Sequence, residues 1–133
     1  FFINQINYVG TIAFELFDFG QKLVINEIAP RVHNTGHFSQ DALSVDQFEL
    51  HLRSILGMSL PEIELKQPSF VMVNLLGQTT KVPRLKKMPT GSLHWYNKTE
   101  NRPRRKMGHI NYIGRNQKQL LQKALLERKG IVL

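Results

Sequence analysis

No cysteine occurs anywhere in these 133 residues. That excludes disulfides and thiolate metal sites, and it is compatible with a reducing compartment. No apolar run approaches the roughly 20 residues that a bilayer-spanning helix needs, and nothing resembles a secretory leader, so no membrane partner and a cytoplasmic location are expected. G-x-S-x-G, the P-loop and G-x-G-x-x-G are all missing, which leaves nucleophilic-hydrolase, P-loop and dinucleotide chemistry without a motif. Internal repeats and low-complexity tracts are missing too. The chain opens at Phe1 without an initiator methionine, in what reads as the middle of an element. A piece of something longer is therefore expected.

Acidic residues are scarce in the second half. Residues 1–57 hold three Lys/Arg against six Asp/Glu, whereas residues 58–133 hold fifteen against four. The net charge of +8 thus belongs to one half, which suggests two units with different partners: cations for the acidic part, phosphates for the basic part. A solvated Lys/Arg surface is the alternative reading of the basic half. With 41% hydrophobic and 21% charged residues, the composition is that of a globular chain and excludes the disordered class.

What is present begins with "YVGTIAFELF" (Tyr8–Phe17) and "KLVINEI" (Lys22–Ile28), two β-rich runs around "DFGQ" that predict an antiparallel hairpin. Strand side chains alternate with period two, so an odd turn puts Glu15 and Glu27 on one face, and a turn centred on Gln21 sets them opposite each other. Two carboxylates about 4 Å apart at an effective dielectric of ~20 repel by roughly 4 kcal/mol. Such a pair makes sense with cations between its members or with one member protonated; two solvated glutamates are the alternative. "SVDQFELHLRSILG" (Ser44–Gly57) predicts a helix with a Ser44/Gln47 capping box, an apolar stripe of Phe48, Leu52, Ile55 and Leu56, and Gly57 as its stop. The stretch "SLPEIELKQP" marks a boundary. Beyond it, Ser69–Gly77, Gly91–Lys98 and Arg105–Gly114 read as strands, with a Pro/Lys-rich connection between the first two. Asn116–Gly130 reads as an amphipathic helix with Leu120, Leu121, Ala124 and Leu125 inward.

Three polar groups could carry chemistry. His33 and His37 are four apart, but Pro30, Asn34 and Gly36 argue against the helix that such a pair needs to hold zinc. Hard oxygens such as those of Glu15 and Glu27 suit magnesium, which usually arrives with substrate phosphates. Arg31, His33 and Asn34 combine a planar guanidinium fork with an imidazole and an amide, a set that could hold a small planar oxyanion; a salt bridge and turn-satisfying hydrogen bonds are the alternative. Finally, Lys98, Arg102, Arg104, Arg105 and Lys106 place five cations within nine residues, after Trp95 and Tyr96. That cluster suits nucleic acid, a single phosphate on a small molecule, or plain solvent.

Taken together, "NEIAPRVHNTGH" (Asn26–His37) resembles NEIAPRPHNSGH, the signature of the 5-(carboxyamino)imidazole ribonucleotide synthase family, the carboxylating ATP-grasp ligases of purine biosynthesis. "FVMVNLLG", "LHWYNK" and "RPRRKMGHIN" resemble that family's later segments, in order. The resemblance covers essentially this whole chain but only the C-terminal third or so of such an enzyme, and the sister formyl-transferring ligase is a weaker match. It implies an α+β chain: residues 1–57 as the last portion of an ATP-grasp domain, residues 58–133 as a small β-rich domain closed by a helix. It also implies ATP and magnesium as cofactors, with bicarbonate and aminoimidazole ribonucleotide as substrates and a homodimer as the complete enzyme. Glu15 and Glu27 would hold magnesium, and Asn26 and Glu27 would lie at the nucleotide. Arg31, His33 and Asn34 would bind bicarbonate and the carboxyphosphate made from it, and Lys98 and Arg105, helped by Lys106, would bind the ribonucleotide's 5′-phosphate. Val32 replaces proline and Thr35 replaces serine. Asn97 and Arg104 stand where glycine is expected, so an altered backbone is anticipated in the phosphate loop. Such a piece alone is expected to be inactive. The competing readings are a stand-alone basic nucleic-acid-binding module and an ATP-grasp carboxylase with another acceptor.

Overall fold

The structure is a computed structural model that describes residues 2–78, residue 85 and residues 88–131. It divides into two compact units, Phe1–Glu64 and Leu65–Leu133, and the division falls inside the Pro-containing stretch "SLPEIELKQP". Among the described residues, no helix is long and apolar enough to cross a membrane.

The first unit runs α1 (Phe2–Gln5), β1 (Ala13–Asp18), β2 (Leu23–Ala29), a 3-10 turn (Asn34–Gly36), α2 (Ser39–Ala42) and α3 (Gln47–Ile55). The hairpin forms as predicted, but β1 starts later than the apolar run suggests. Gly10 sits at φ 129, where a Cβ would lie 2.7 Å from His51 Nδ1, and the Thr11 N–H donates to that same nitrogen at 3.0 Å. The backbone of Tyr8–Thr11 is thereby tied to α3 and withheld from the ladder.

Helix α3 departs from its predicted cap and inward face. Its cap is Asp46, whose Oδ1 accepts from the N–H groups of Phe48 and Glu49 at 2.8 and 2.9 Å, and an anionic cap also suits the helix dipole. Ser44 instead accepts from the Glu64 N–H at 3.0 Å, so the Ser44/Gln47 box does not form. The apolar stripe is not buried either: Leu52, Ile55 and Leu56 are exposed. The inward side carries Gln47 and His51, four residues apart, which bind loop backbone and so turn the stripe outward. The hairpin also exposes Phe14, Leu16, Phe17, Leu23, Ile25 and Ile28. A two-stranded ribbon with apolar surface on this scale is the kind that other protein covers.

The second unit is an antiparallel sheet in the order β3-β5-β4, formed by β3 (Ser69–Leu76), β4 (Ser92–Trp95) and β5 (Lys106–Gly114), followed by α4 (Gln117–Gly130). The Pro/Lys-rich connection between β3 and β4 lies mostly outside the described residues. Alternation puts Val71, Val73, Leu75, Ile110, Tyr112, Leu93 and Trp95 on one face, where they pack with Ala124, Leu120 and Ile131. The opposite face carries the cross-strand row Asn74, His109, His94. Asn116 caps α4 by accepting from the Gln119 N–H, and the helix continues through Gly130, expected as its stop, to a cap at Ile131. Only part of the predicted inward face is inward. Ala124 is buried and Leu120 packs, but Leu121 and Leu125 are exposed, because Leu120, Ala124 and Glu127 define the side facing the sheet.

Glu127 fastens that side. It accepts from Tyr112 Oη at 2.8 Å, Thr90 N at 3.0 Å and Thr90 Oγ1 at 2.6 Å. Partial burial pushes its pKa up, but the hydrogen bonds and nearby Lys123 outweigh this, and the carboxyl is held below the usual range. Burial, then the bond and charge of Glu127, raise the Tyr112 phenol. A carboxyl with a depressed folded pKa stabilises fully above its unfolded value and loses that contribution as pH falls through the folded one. Thermal melts are therefore expected to show a smaller acid-induced drop in Tm for Glu127→Gln than for the parent, and equal drops would contradict this.

Asn97 and Arg104, which stand where the resemblance leads one to expect glycine, adopt φ 51 and 64, the left-handed backbone that glycine reaches at least cost. Asparagine tolerates this region, whereas arginine does so at a cost. Arg104→Gly is expected to stabilise the fold by about 0.5–1 kcal/mol, the steric cost less glycine's entropy. A lower unfolding midpoint in urea would contradict it.

Candidate functional site

The polar stretch after β2 is built by a bulge, a proline turn and one helix. Asp18 pairs with Leu23 across the four-residue turn Phe19–Lys22, closed by the Phe19 N–H to Lys22 O at 3.0 Å. The turn thus centres between Gly20 and Gln21, not on Gln21. An even turn alone would set Glu15 against Asn26 and send Glu27 to the other face. The register shifts between Glu15 and Leu16, however, and Glu15 faces Glu27. Asn26 is the extra residue of a β-bulge, a feature that re-aims side chains. Its Nδ2 donates to Glu15 Oε2 at 3.2 Å.

Past Ala29, the Arg31 N–H donates to the Ala29 carbonyl at 2.8 Å, a tight turn around Pro30, whose ring fixes φ. The turn places Arg31 beside the hairpin, with Nη2 3.8 Å from Glu27 Oε1 and Nη1 donating to Val32 O at 3.0 Å. His33 is buried in extended backbone. Its Nδ1 accepts from the Thr35 N–H and lies 2.9 Å from Thr35 Oγ1, which leaves Nε2 as the protonated nitrogen of the neutral ring. That Nε2 points between the two carboxylates, 3.6 Å from Glu15 Oε1 and 3.7 Å from Glu27 Oε1. Asn34 starts the 3-10 turn, and its carbonyl accepts from the His37 N–H at 3.2 Å.

One atom each of Glu15, Glu27 and His33 lies within 4.8 Å of the others. Facing carboxylates that hold an imidazole at ion-pair distance fit a divalent cation, and their oxygens suit magnesium. The His33/His37 pair does not converge. His37 stacks on Phe48, ring centroids 5.6 Å apart, and its Nδ1 lies 2.6 Å from Gln47 Nε2.

The remaining candidates lie in the second unit. Lys98 Nζ donates to the Lys106 carbonyl at 2.7 Å and sits 5.4 Å over the Tyr96 ring. Arg105 Nη1 donates to the Glu100 carbonyl at 3.2 Å and lies 3.6 Å from that residue's carboxylate, which also pairs with Arg102 at 2.6 Å. Lys98 is thus tied to the backbone of Lys106, and Arg105 to Glu100. Sequence reasoning missed Thr35, which sets the His33 tautomer, and Gln47, whose only signal is an amide in the first turn of a helix.

Comparison with known proteins gives matches in both units. The ATP-grasp domain family matches residues 2–48, and the phosphoribosylaminoimidazole carboxylase C-terminal domain family matches residues 71–123. The N5-carboxyaminoimidazole ribonucleotide synthase of Saccharolobus solfataricus is 47% identical over 120 residues, covering 90% of this chain and 32% of that protein. The crystal structure of the synthetase from Thermotoga maritima aligns with a TM-score of 0.88 at 38% identity, over 98% of this chain and 39% of that one. The synthase from Aspergillus clavatus, in complex with ADP and 5-aminoimidazole ribonucleotide, aligns with a TM-score of 0.75 at 28% identity, over 89% of this chain and 34% of that one. The chain spans about a third of the length of the curated relatives it matches.

Proposed function

We propose, from the premise that this chain belongs to the N5-carboxyaminoimidazole ribonucleotide synthase family and spans about a third of its members' length, including a match to the C-terminal domain, that it serves an ATP-dependent ligase of purine biosynthesis. In that reaction a bicarbonate oxygen attacks the γ-phosphorus of ATP, releasing ADP and forming carboxyphosphate. The carboxyl carbon then passes to the exocyclic amine of aminoimidazole ribonucleotide, and phosphate leaves. The complete enzyme acts in this reading as a cytoplasmic homodimer. The 133 residues alone are expected to form no ADP.

The observation that carries the proposal is the bulge that turns Asn26 and Glu27 onto the face of Glu15, beneath the His33 imidazole. Glu15 and Glu27 would hold magnesium, which when bound neutralises charge on the nucleotide phosphates. Asn26 orients the Glu15 carboxylate. The Arg31 fork binds the planar anion beside it, with the His33 Nε2–H and Asn34 as further donors, so negative charge is met by donors fixed in advance. Excluding water matters here, because carboxyphosphate is labile. In the second unit, Lys98, Arg105 and Lys106 would bind the 5′-phosphate, with the Lys98 and Arg105 side chains held by the backbone carbonyls of Lys106 and Glu100.

Isotope transfer tests the reaction. With ¹⁸O-labelled bicarbonate, the complete enzyme is expected to release phosphate carrying one label per turnover, and only when aminoimidazole ribonucleotide accepts the carboxyl. Unlabelled phosphate would reject the carboxyphosphate route, and equal turnover with another amine would reject the acceptor. Arg105→Ala is expected to raise KM for aminoimidazole ribonucleotide about 10–100-fold, the worth of a charge-assisted hydrogen bond, with kcat changed far less. An unchanged KM in initial-rate kinetics would remove Arg105 from the phosphate site.

A further inference from the structure

Gln47 opens α3 and is buried, with 6% of its surface exposed. Both ends of its amide are engaged by one residue of the preceding loop. Its Oε1 accepts from the His33 N–H at 2.8 Å, and its Nε2 donates to the His33 carbonyl at 2.9 Å. A side chain fourteen residues away thus closes on His33 as a neighbouring strand would. The second Nε2 hydrogen faces His37 Nδ1 at 2.6 Å. Because Oε1 must meet the His33 N–H, the amide has one orientation, and His37 Nδ1 is the acceptor.

The surroundings are arranged for that amide. A Cβ on Gly36 would collide with Gln47 Oε1, so the glycine in "NTGH" is required by this close approach; Gly36 is absent from the positive-φ residues. The backbone N–H of Gln47 donates to Ser39 Oγ at 3.0 Å, and that hydroxyl donates to the Gly36 carbonyl at 2.6 Å. The first turn of α3 therefore grips the loop at His33, Gly36 and His37. With its backbone fixed, His33 has its ring held by Thr35 on one side, and Nε2 is left facing Glu15 and Glu27.

We propose that Gln47 is a positioning residue, which clasps the His33 backbone and thereby aims the His33 imidazole at the paired carboxylates. The inference rests on the reading of this cluster given under Proposed function. Gln47 touches neither carboxylate among the contacts described, so its effect must pass through His33. Glutamate at this position could accept from the His33 N–H but would set a second oxygen against the His33 carbonyl.

The test is a double-mutant cycle in the complete enzyme, with Gln47→Ala, His33→Ala and the pair. Gln47→Ala is expected to lower kcat about 10–100-fold, the scale on which removing the partner that orients a functional side chain acts, while KM for aminoimidazole ribonucleotide stays near its parent value. In the His33→Ala background the same change is expected to cost no more than about twofold, the ordinary limit of additivity. Full multiplication of the two losses, or parental kcat in Gln47→Ala, would overturn the proposal. Should the alanine variant fail to fold, the isosteric Gln47→Glu carries the same cycle with the same expectations. Hydrogen exchange separates this inference from the catalytic reading. The His33 amide is expected to exchange about tenfold or more faster in the variant while amides of α3 stay protected, whatever reaction the enzyme performs. An unchanged His33 amide would show that the clasp is not made.

Discussion

Glu27→Gln in the complete enzyme is expected to lower kcat for ATP-dependent carboxylation by on the order of 10²–10³-fold, the usual effect of removing one electrostatic contact to a reacting centre. The fold should survive the change, because the Glu27 side chain is 48% exposed and its partners Arg31 and His33 lie no closer than 3.7–3.8 Å. Without divalent cations the variant should melt at or slightly above the parent, since two facing carboxylates repel. With magnesium the order should invert. A ligand at 100 times its dissociation constant adds about 2.7 kcal/mol to the state that binds it, and only the parent keeps both carboxylates. Equal Tm shifts with magnesium in parent and variant would contradict a shared site.

Arg31→Lys carries the second large effect. In the proposed reading the guanidinium presents a planar fork to a planar anion, and an ammonium offers a point charge of the same sign without that geometry. Pro30 turns Arg31 back, and Nη1 donates to the Val32 carbonyl, which sets the guanidinium beside Glu27. The lysine variant is expected to lose roughly 100-fold in kcat for carboxylation and to consume more ATP than it makes product, as poorly held carboxyphosphate meets water. Simultaneous assay of ADP and carboxylated product checks this. Parental kcat with one ADP per product would remove Arg31 from the anion site.

The sequence made some of this legible because period two is a strong signal. The strands of both units lie where the apolar runs lie, and the alternation along "KMGHINYIG" separates Ile110 and Tyr112 from His109 and Asn111. Parity also brought Glu15 and Glu27 to one face, but by a different route from the one periodicity offers. The turn is even, and the facing pair depends on a bulge at Asn26, which leaves no trace in a run of polar residues. Helix α3 departs from its sequence pattern for a related reason. Periodicity assigns the apolar stripe to the inside, yet here the inside is Gln47 and His51, whose hydrogen bonds to His33 and Thr11 outweigh the pattern, while Leu52, Ile55 and Leu56 stay exposed. Left-handed backbone at Arg104 was equally hidden, because a residue type that disfavours positive φ gives no sign of adopting it. The signature Asn26–His37 points to the proposed chemistry more sharply than composition does.

Titration of manganese, standing in for magnesium, into the complete enzyme and its Glu15→Gln, Glu27→Gln and doubly substituted forms bears most directly on the hairpin site. If one ion joins both carboxylates, each single change weakens binding roughly 10–100-fold, and the double change costs little more than either. Undiminished affinity in both single variants, or losses that simply multiply, would mean that the two glutamates of the ribbon do not hold a common cation.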